Sequence, residues 1–148
     1  MAIIDISKKP FIEDRDEKIF IGIDLPFRKS DGIEGYFAST TTTIDAVKNN
    51  IRNLLQTDKG ERLMQPSIGM GLKRFLFEQF TDESRIEIEN EIIDTFKFWL
   101  PFVEIQRLEI SMNDINSDVG RNTMSISIDF NITRDPTTFE SIEITIGE

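Results

Sequence analysis

Residues 59–80, KGERLMQPSIGMGLKRFLFEQF, bring carboxylates, cations and glycines into one short stretch. Glu61, Glu78 and the following Asp82 could supply a glycosidase pair, which needs only two carboxylates flanking the cleaved bond. The acid of such a pair needs an apolar pocket around it. With 27 acidic residues in a chain of 148, chance pairs are common. Arg62 beside Glu61, and Lys73 and Arg74 near Glu78, read more simply as ion-pair partners. Gly69-Met70-Gly71 begins like a phosphate loop, but Leu72, Lys73 and Arg74 follow with no further glycine. The full pattern of such a loop is missing, and the glycines read as a tight turn before a helix. Asp114-Ile115-Asn116-Ser117-Asp118 opens like a calcium loop. Val119 then stands where the turn needs glycine and Ser125 where the ion needs a bidentate Glu, so this is read as a hairpin loop.

The chain contains neither histidine nor cysteine. Every Ser-His or Cys-His device, the commonest general base and the commonest zinc ligand are thereby excluded. No catalytic residue, no metal site and no cofactor is expected. The formal net charge of −10 argues against nucleic acid as a partner, because a phosphate backbone calls for a positive face. The last third is the most acidic, with nine acids and three bases in residues 103–148. That pattern suits a solvated surface or a basic protein partner. No apolar run approaches the ~20 residues of a membrane span. The N-terminus mixes its charges and lacks the apolar core of a signal peptide, so a cytoplasmic site of synthesis is expected.

The elements that must position these residues follow from periodicity. Residues 1–18 read as an N-terminal arm and residues 19–148 as one domain. IFIGIDLPF, residues 19–27, alternates like a short strand ended by Pro26. A Gly-, Ser- and Thr-rich loop follows, and Thr43 is placed to cap a first helix. Ile44, Val47, Ile51, Leu54 and Leu55 fall on one face of that helix. Lys59-Gly60 makes its stop and turn, RLMQP is a brief extended piece, and LKRFLFEQ is a short helix. Leu72, Phe75, Leu76 and Phe77 of this short helix are expected in the core. Thr81 or Asp82 caps a third helix with the stripe Ile88, Ile92, Phe96 and Trp99, widened by Ile86 and Ile93, and Pro101 ends it.

Beyond Pro101 the apolar period changes to two. Val103 and Ile105 fall on one parity and Leu108, Ile110 and Met112 on the other, which predicts a bulge between them. Met124, Ile126, Ile128, Phe130 and Ile132 alternate strictly, and RDPTT turns the chain into Ile142, Ile144 and Ile146. The expected class is α+β: an N-terminal strand, about three helices, then an antiparallel meander packed on the helices. Trp99-Leu100-Pro101-Phe102 clusters large apolar groups around a helix stop, as a core corner or as an interface anchor.

The run NLLQTDKGERLMQPSIGMGLKRFLFE resembles the baseplate wedge and sheath-initiator family of contractile tails. Members of this family, once called lysozyme-like, occur in phages, related injection machines and type VI secretion baseplates. The resemblance is carried by Leu54-Leu55, the turn Thr57 to Gly60, Arg62, Pro66, Gly69, Leu72 and Leu76-Phe77-Glu78, and it extends over roughly residues 44–146. Where the family has Glu-Pro-Arg, this chain has Leu100-Pro101-Phe102. A charged grip on the wedge core is therefore replaced by an apolar one, or moved to Glu104 or Arg107.

The resemblance implies a structural virion protein of the tail baseplate, assembled in the host cytoplasm and present in several copies per baseplate. The implied partners are wedge core proteins, held through Trp99, Leu100, Pro101 and Phe102, first-ring tail sheath subunits, and the tail tube and hub region. It also implies sheath pairing by β-augmentation through Met124, Ile126, Ile128, Phe130, Ile142, Ile144 and Ile146. No nucleic-acid or membrane partner is expected. The other readings are a type VI secretion baseplate component and a peptidoglycan hydrolase, the activity the old label suggests.

Overall fold

The structure, a computed structural model, describes residues 19–30, 36–113 and 123–147. The expected arm at 1–18 and the Asp114–Asp118 loop lie outside the described residues. In chain order the elements are β1 (Gly22–Ile23), β2 (Ser39–Thr40), α1 (Thr43–Gln56), a 3₁₀ helix (Leu72–Phe77), α2 (Asp82–Trp99), β3 (Val103–Asn113), β4 (Thr123–Ile132) and β5 (Asp135–Ile146). The α+β expectation, with an antiparallel meander after the helices, is met.

The cap of α1 lies one residue earlier than the threonine run suggests. Thr42 is the N-cap, and its hydroxyl accepts from the Asp45 amide at 3.2 Å. Asp45 then sits in the first turn, where a carboxylate opposes the positive end of the helix dipole. In α2 the cap is Thr81, whose hydroxyl accepts from the Ser84 amide at 3.2 Å. α2 stops at Leu100 because Pro101 disfavours helical dihedrals in the residue before it.

β3, β4 and β5 form one antiparallel sheet in that order, with β4 in the centre. The bulge anticipated between Ile105 and Leu108 falls at Gln106, where the register slips between Ile105 and Arg107. A slip of one residue is what restores Ile105 and Leu108 to the same face despite their odd spacing. The turn into β5 is shorter than RDPTT: only Thr133 and Arg134 lie between Ile132 and its partner Asp135. A second register shift separates the Ile132 pair from the Phe130–Glu140 pair.

One face of this sheet carries the core. Met124, Ile126, Ile128 and Phe130 are fully buried, and Ile142, Ile144 and Ile146 are buried beside them. They pack with Ile51 and Leu55 of α1, Phe75 of the 3₁₀ helix, and Ile88, Ile92 and Phe96 of α2. The opposite face presents Arg107, Glu109, Ser127, Asp129 and Glu143 towards solvent, the half-wet pattern of an antiparallel sheet.

The N-terminal strand shrinks to Gly22–Ile23 paired with Ser39–Thr40. Its isoleucines do not enter the core: Ile19, Ile21 and Ile23 are all exposed. The segment is held through its backbone instead. The buried Asn49 amide donates to the Ile23 carbonyl at 3.1 Å, and Arg52 donates to the Leu25 carbonyl at 3.3 Å. Arg28 pairs with Asp24 and holds that carboxyl below the usual carboxylate range. Ile86 is also exposed, so the buried stripe of α2 is narrower than expected and runs through Ile88, Ile92 and Phe96. No helix among the described residues is long and apolar enough to cross a membrane.

Candidate functional site

The glycine-containing stretch folds into a closed loop between α1 and the 3₁₀ helix. Its neck is the contact of Thr57 with residues 69–70: the Met70 amide donates to the Thr57 carbonyl at 3.0 Å. The Gly60 amide crosses the loop to the Pro66 carbonyl at 2.8 Å. Gly69 has φ +109°, and a Cβ built there would lie 2.4 Å from the Thr57 carbonyl oxygen. The glycine is therefore required twice, by its dihedral and by the close approach of the neck. RLMQP, expected extended, is instead turn, with the Gln65 amide donating to the Arg62 carbonyl at 3.2 Å.

Charges fasten this loop to α2. Glu91, largely covered at 12% side-chain exposure, accepts from Lys59 at 2.6 Å and from Arg74 at 2.9 Å. Arg74 also reaches Glu87 at 3.4 Å and lies over the Phe75 ring. Lys73 bridges to Asp58 at 3.0 Å, and that carboxylate holds the Lys73 ammonium above its ordinary range. Each bridge has a half-exposed cation, so each contributes about 1 kcal/mol or less. Together they fix orientation more than stability.

Several roles read from the sequence change here. Arg62 has no acidic partner among the described residues; its guanidinium donates to the Asn53 side-chain oxygen at 2.9 Å. Glu61 accepts from the Asp58 amide at 3.0 Å, so it closes the turn. Glu78 is exposed and has no ion pair among the described residues, and Lys73 and Arg74 have taken other partners. Leu72 and Leu76 are buried as expected, but Phe77 is 86% exposed. A 3₁₀ helix repeats every three residues, so Leu72, Phe75 and the adjacent Leu76 turn inward and Phe77 turns out.

No carboxylate of this stretch is set up for acid catalysis. Glu61 and Glu78 are both exposed, which is the opposite of the apolar burial a general acid needs. Among the described residues no group of acidic side chains is placed to hold a metal ion. What the loop does present is its tip: Leu63 and Met64 are 96% and 94% exposed. Adjacent apolar residues held this far out on a restrained loop form a contact feature. Reading RLMQP as extended chain hides this feature in the sequence.

The corner after α2 is a second such feature. Pro101 and Phe102 turn the chain from α2 into β3, closed by the Val103 amide on the Leu100 carbonyl at 2.9 Å. Phe102 is 40% exposed and Trp99 half-buried, whereas Leu100 is buried at 8%. Leu100 therefore belongs to the core and cannot face a partner in this conformation. Its place in the exposed set falls to Phe98, 74% exposed and stacked edge-on against Trp99 at 5.0 Å. Phe98 lies two residues after buried Phe96, off the apolar stripe, and that offset is the sequence signal that could have shown it.

The strand residues named for pairing also change role. Met124, Ile126, Ile128 and Phe130 lie on β4, whose two edges are already bonded to β3 and β5. A central strand has no main-chain groups left to offer, so pairing can involve only β3 or β5. The Ile142, Ile144 and Ile146 side chains are core as well.

The comparisons agree with this geometry. No curated protein sequence matches the chain. In the solved structures, a baseplate chain of the anti-feeding prophage is 25% identical with a TM-score of 0.60, over 75% of this chain and 83% of that one. The crystal structure of a chain from Geobacter sulfurreducens described as a candidate tail lysozyme is 23% identical with a TM-score of 0.59, over 72% of this chain and 91% of that one. A chain of a type VI secretion baseplate complex shares the fold at 13% identity and a TM-score of 0.53, over 70% and 92%. The sequence pattern of the family described as baseplate wedge protein gp25 matches residues 41–137, the span that holds the closed loop, the corner and most of the sheet. The chain belongs to the baseplate wedge protein gp25 family.

Proposed function

We propose that this protein is a non-enzymatic structural subunit of a contractile-tail baseplate that binds the wedge core and starts sheath assembly. The observation that carries the reading is the family match over residues 41–137, with Pro101 kept at the turn out of α2. Phe98, Trp99, Pro101 and Phe102 make the wedge-core contact, an apolar one in place of the charged grip implied for relatives. An edge of the meander takes a strand from a first-ring sheath subunit, the main-chain bonds supplying affinity and the alternating side chains register. The chain sits near the tail tube and hub in several copies per baseplate, in a particle assembled in the host cytoplasm.

Phe98→Ser together with Phe102→Ser should leave the free chain folded, because both rings are largely outside the core. The same double variant should lose incorporation into baseplates, and tubes should form without sheath. Electron microscopy of the particles and thermal melting of the purified chain read the two effects. Normal sheathed tails carrying the folded variant would remove the corner from the interface.

The hydrolase alternative is tested separately on cell-wall zymograms. No clearing is expected from the purified protein at any loading. Clearing that disappears in Glu61→Gln or Glu78→Gln would overturn the structural reading.

A further inference from the structure

We propose that the strand-accepting edge is β3, and that its occupant is an extended segment of a second protein, apolar at alternate positions and basic between them. This rests on the strand-pairing reading above and names the edge and the chemistry of the partner.

The two outer edges of the sheet are not equivalent. On β5, the inward side chains Ile142, Ile144 and Ile146 are only 3%, 4% and 5% exposed, so the apolar layer is complete there. On β3, Val103 and Ile110 are buried, but Ile105, Leu108 and Met112 are only partly so. The same face of the same sheet is therefore finished at one edge and unfinished at the other. Beside β3, a groove of about 550 Å³ opens between α2 and the strand, lined by Ile93, Phe96, Ile105 and Leu108 with Lys97 at its side. A strand added to β3 would place alternate side chains over this groove and complete the layer, while its backbone met the main-chain groups of the edge.

β5 offers less. The recess along it is partly walled by this chain's own Leu25, Pro26 and Phe27 and carries the charged groups of Arg52, Glu61 and Glu143. Glu140 of β5 is bridged to Lys48 of α1 at 2.7 Å, and the register shift between Phe130 and Ile132 interrupts the ladder that supports that edge. On β3 the run from Arg107 to Asn113 is in continuous register.

Charge selects the occupant. On the solvent face Glu109 and Glu143 flank Ser127, and Arg107 is the one base facing Asp129 in these rows. An incoming strand lays its outward side chains beside this acidic face, where Lys or Arg is favoured and Asp or Glu opposed. A second copy of this chain is disfavoured as occupant, because each copy carries −10.

Hydrogen exchange decides the matter without any substitution. Exchange is followed in the free chain and in the assembled baseplate particle, in peptides covering 103–113 and 135–147. Edge-facing amides between Arg107 and Met112 should slow by about tenfold or more in the particle, with β5 unchanged. Slowing confined to 135–147 would overturn the choice of edge and leave strand pairing standing. No change in either strand would remove strand pairing itself. Sedimentation of the free chain adds the last arm: a concentration-dependent dimer with the same β3 protection would replace the heterologous partner by a second copy and overturn the proposal.

Discussion

Replacing Gly69 by alanine should lower stability by about 3 kcal/mol or more, enough to leave much of the chain unfolded. Two penalties act together. The residue sits at φ +109°, where L side chains are strained, and the new Cβ would meet the Thr57 carbonyl oxygen at 2.4 Å and its carbon at 2.9 Å. The obstructing atoms are backbone, so no rotamer change relieves the contact. Relief requires the neck to open, which breaks the Met70–Thr57 bond and unseats Met70, a residue with no solvent exposure. Gly60 is the control. It has φ +88° but nothing within 4 Å of an added methyl, so Gly60→Ala should cost only the dihedral term, about 1 kcal/mol. Urea unfolding of the two variants should separate them clearly. Equal midpoints would mean that the neck is looser than described.

Phe75→Ala and Phe77→Ala should differ as strongly, although the two rings lie two residues apart. Phe75 is 2% exposed and packs among Leu72, Leu76 and the helices, so its removal leaves a cavity and should cost about 3–5 kcal/mol. Phe77 is 86% exposed, and its removal should change stability by no more than about 0.5 kcal/mol. Thermal melts of both variants test this directly. A large loss for Phe77→Ala would place that ring back in the core, where the apolar pattern alone puts it.

The same contrast explains which parts of the molecule are legible in the residues. Ile88, Ile92 and Phe96 are buried because helical spacing aligns them on one stripe. The alternation in β4 and β5 sets their inward faces for the same kind of reason, and the parity change after Ile105 requires a bulge. Where the period is short or irregular, reading fails. Phe77 joins an apolar cluster in the sequence and so reads as inward, but a 3₁₀ turn rotates it away. Leu63 and Met64 look like ordinary chain between breakers, yet the cross-loop bond from Gly60 to Pro66 pushes them to the tip. The carboxylates that first suggest chemistry are tied up in ways the spacing does not show: Glu61 by a backbone amide, and Glu91 by two cations from the loop.

By itself the sequence determined the class, the order of the elements, the faces they bury and the family motif, because each of these is a local property of residue type and spacing. Tertiary structure alone decided that β4 is the central strand, that Leu100 is core while Phe98 is surface, and that the apolar layer closes at β5 and stays open at β3. Periodicity says which side of a strand faces inward, but it carries no information about which strand stands next to it or how far the helices beneath extend. Those depend on contacts between residues far apart in the chain, and they determine where a partner can add.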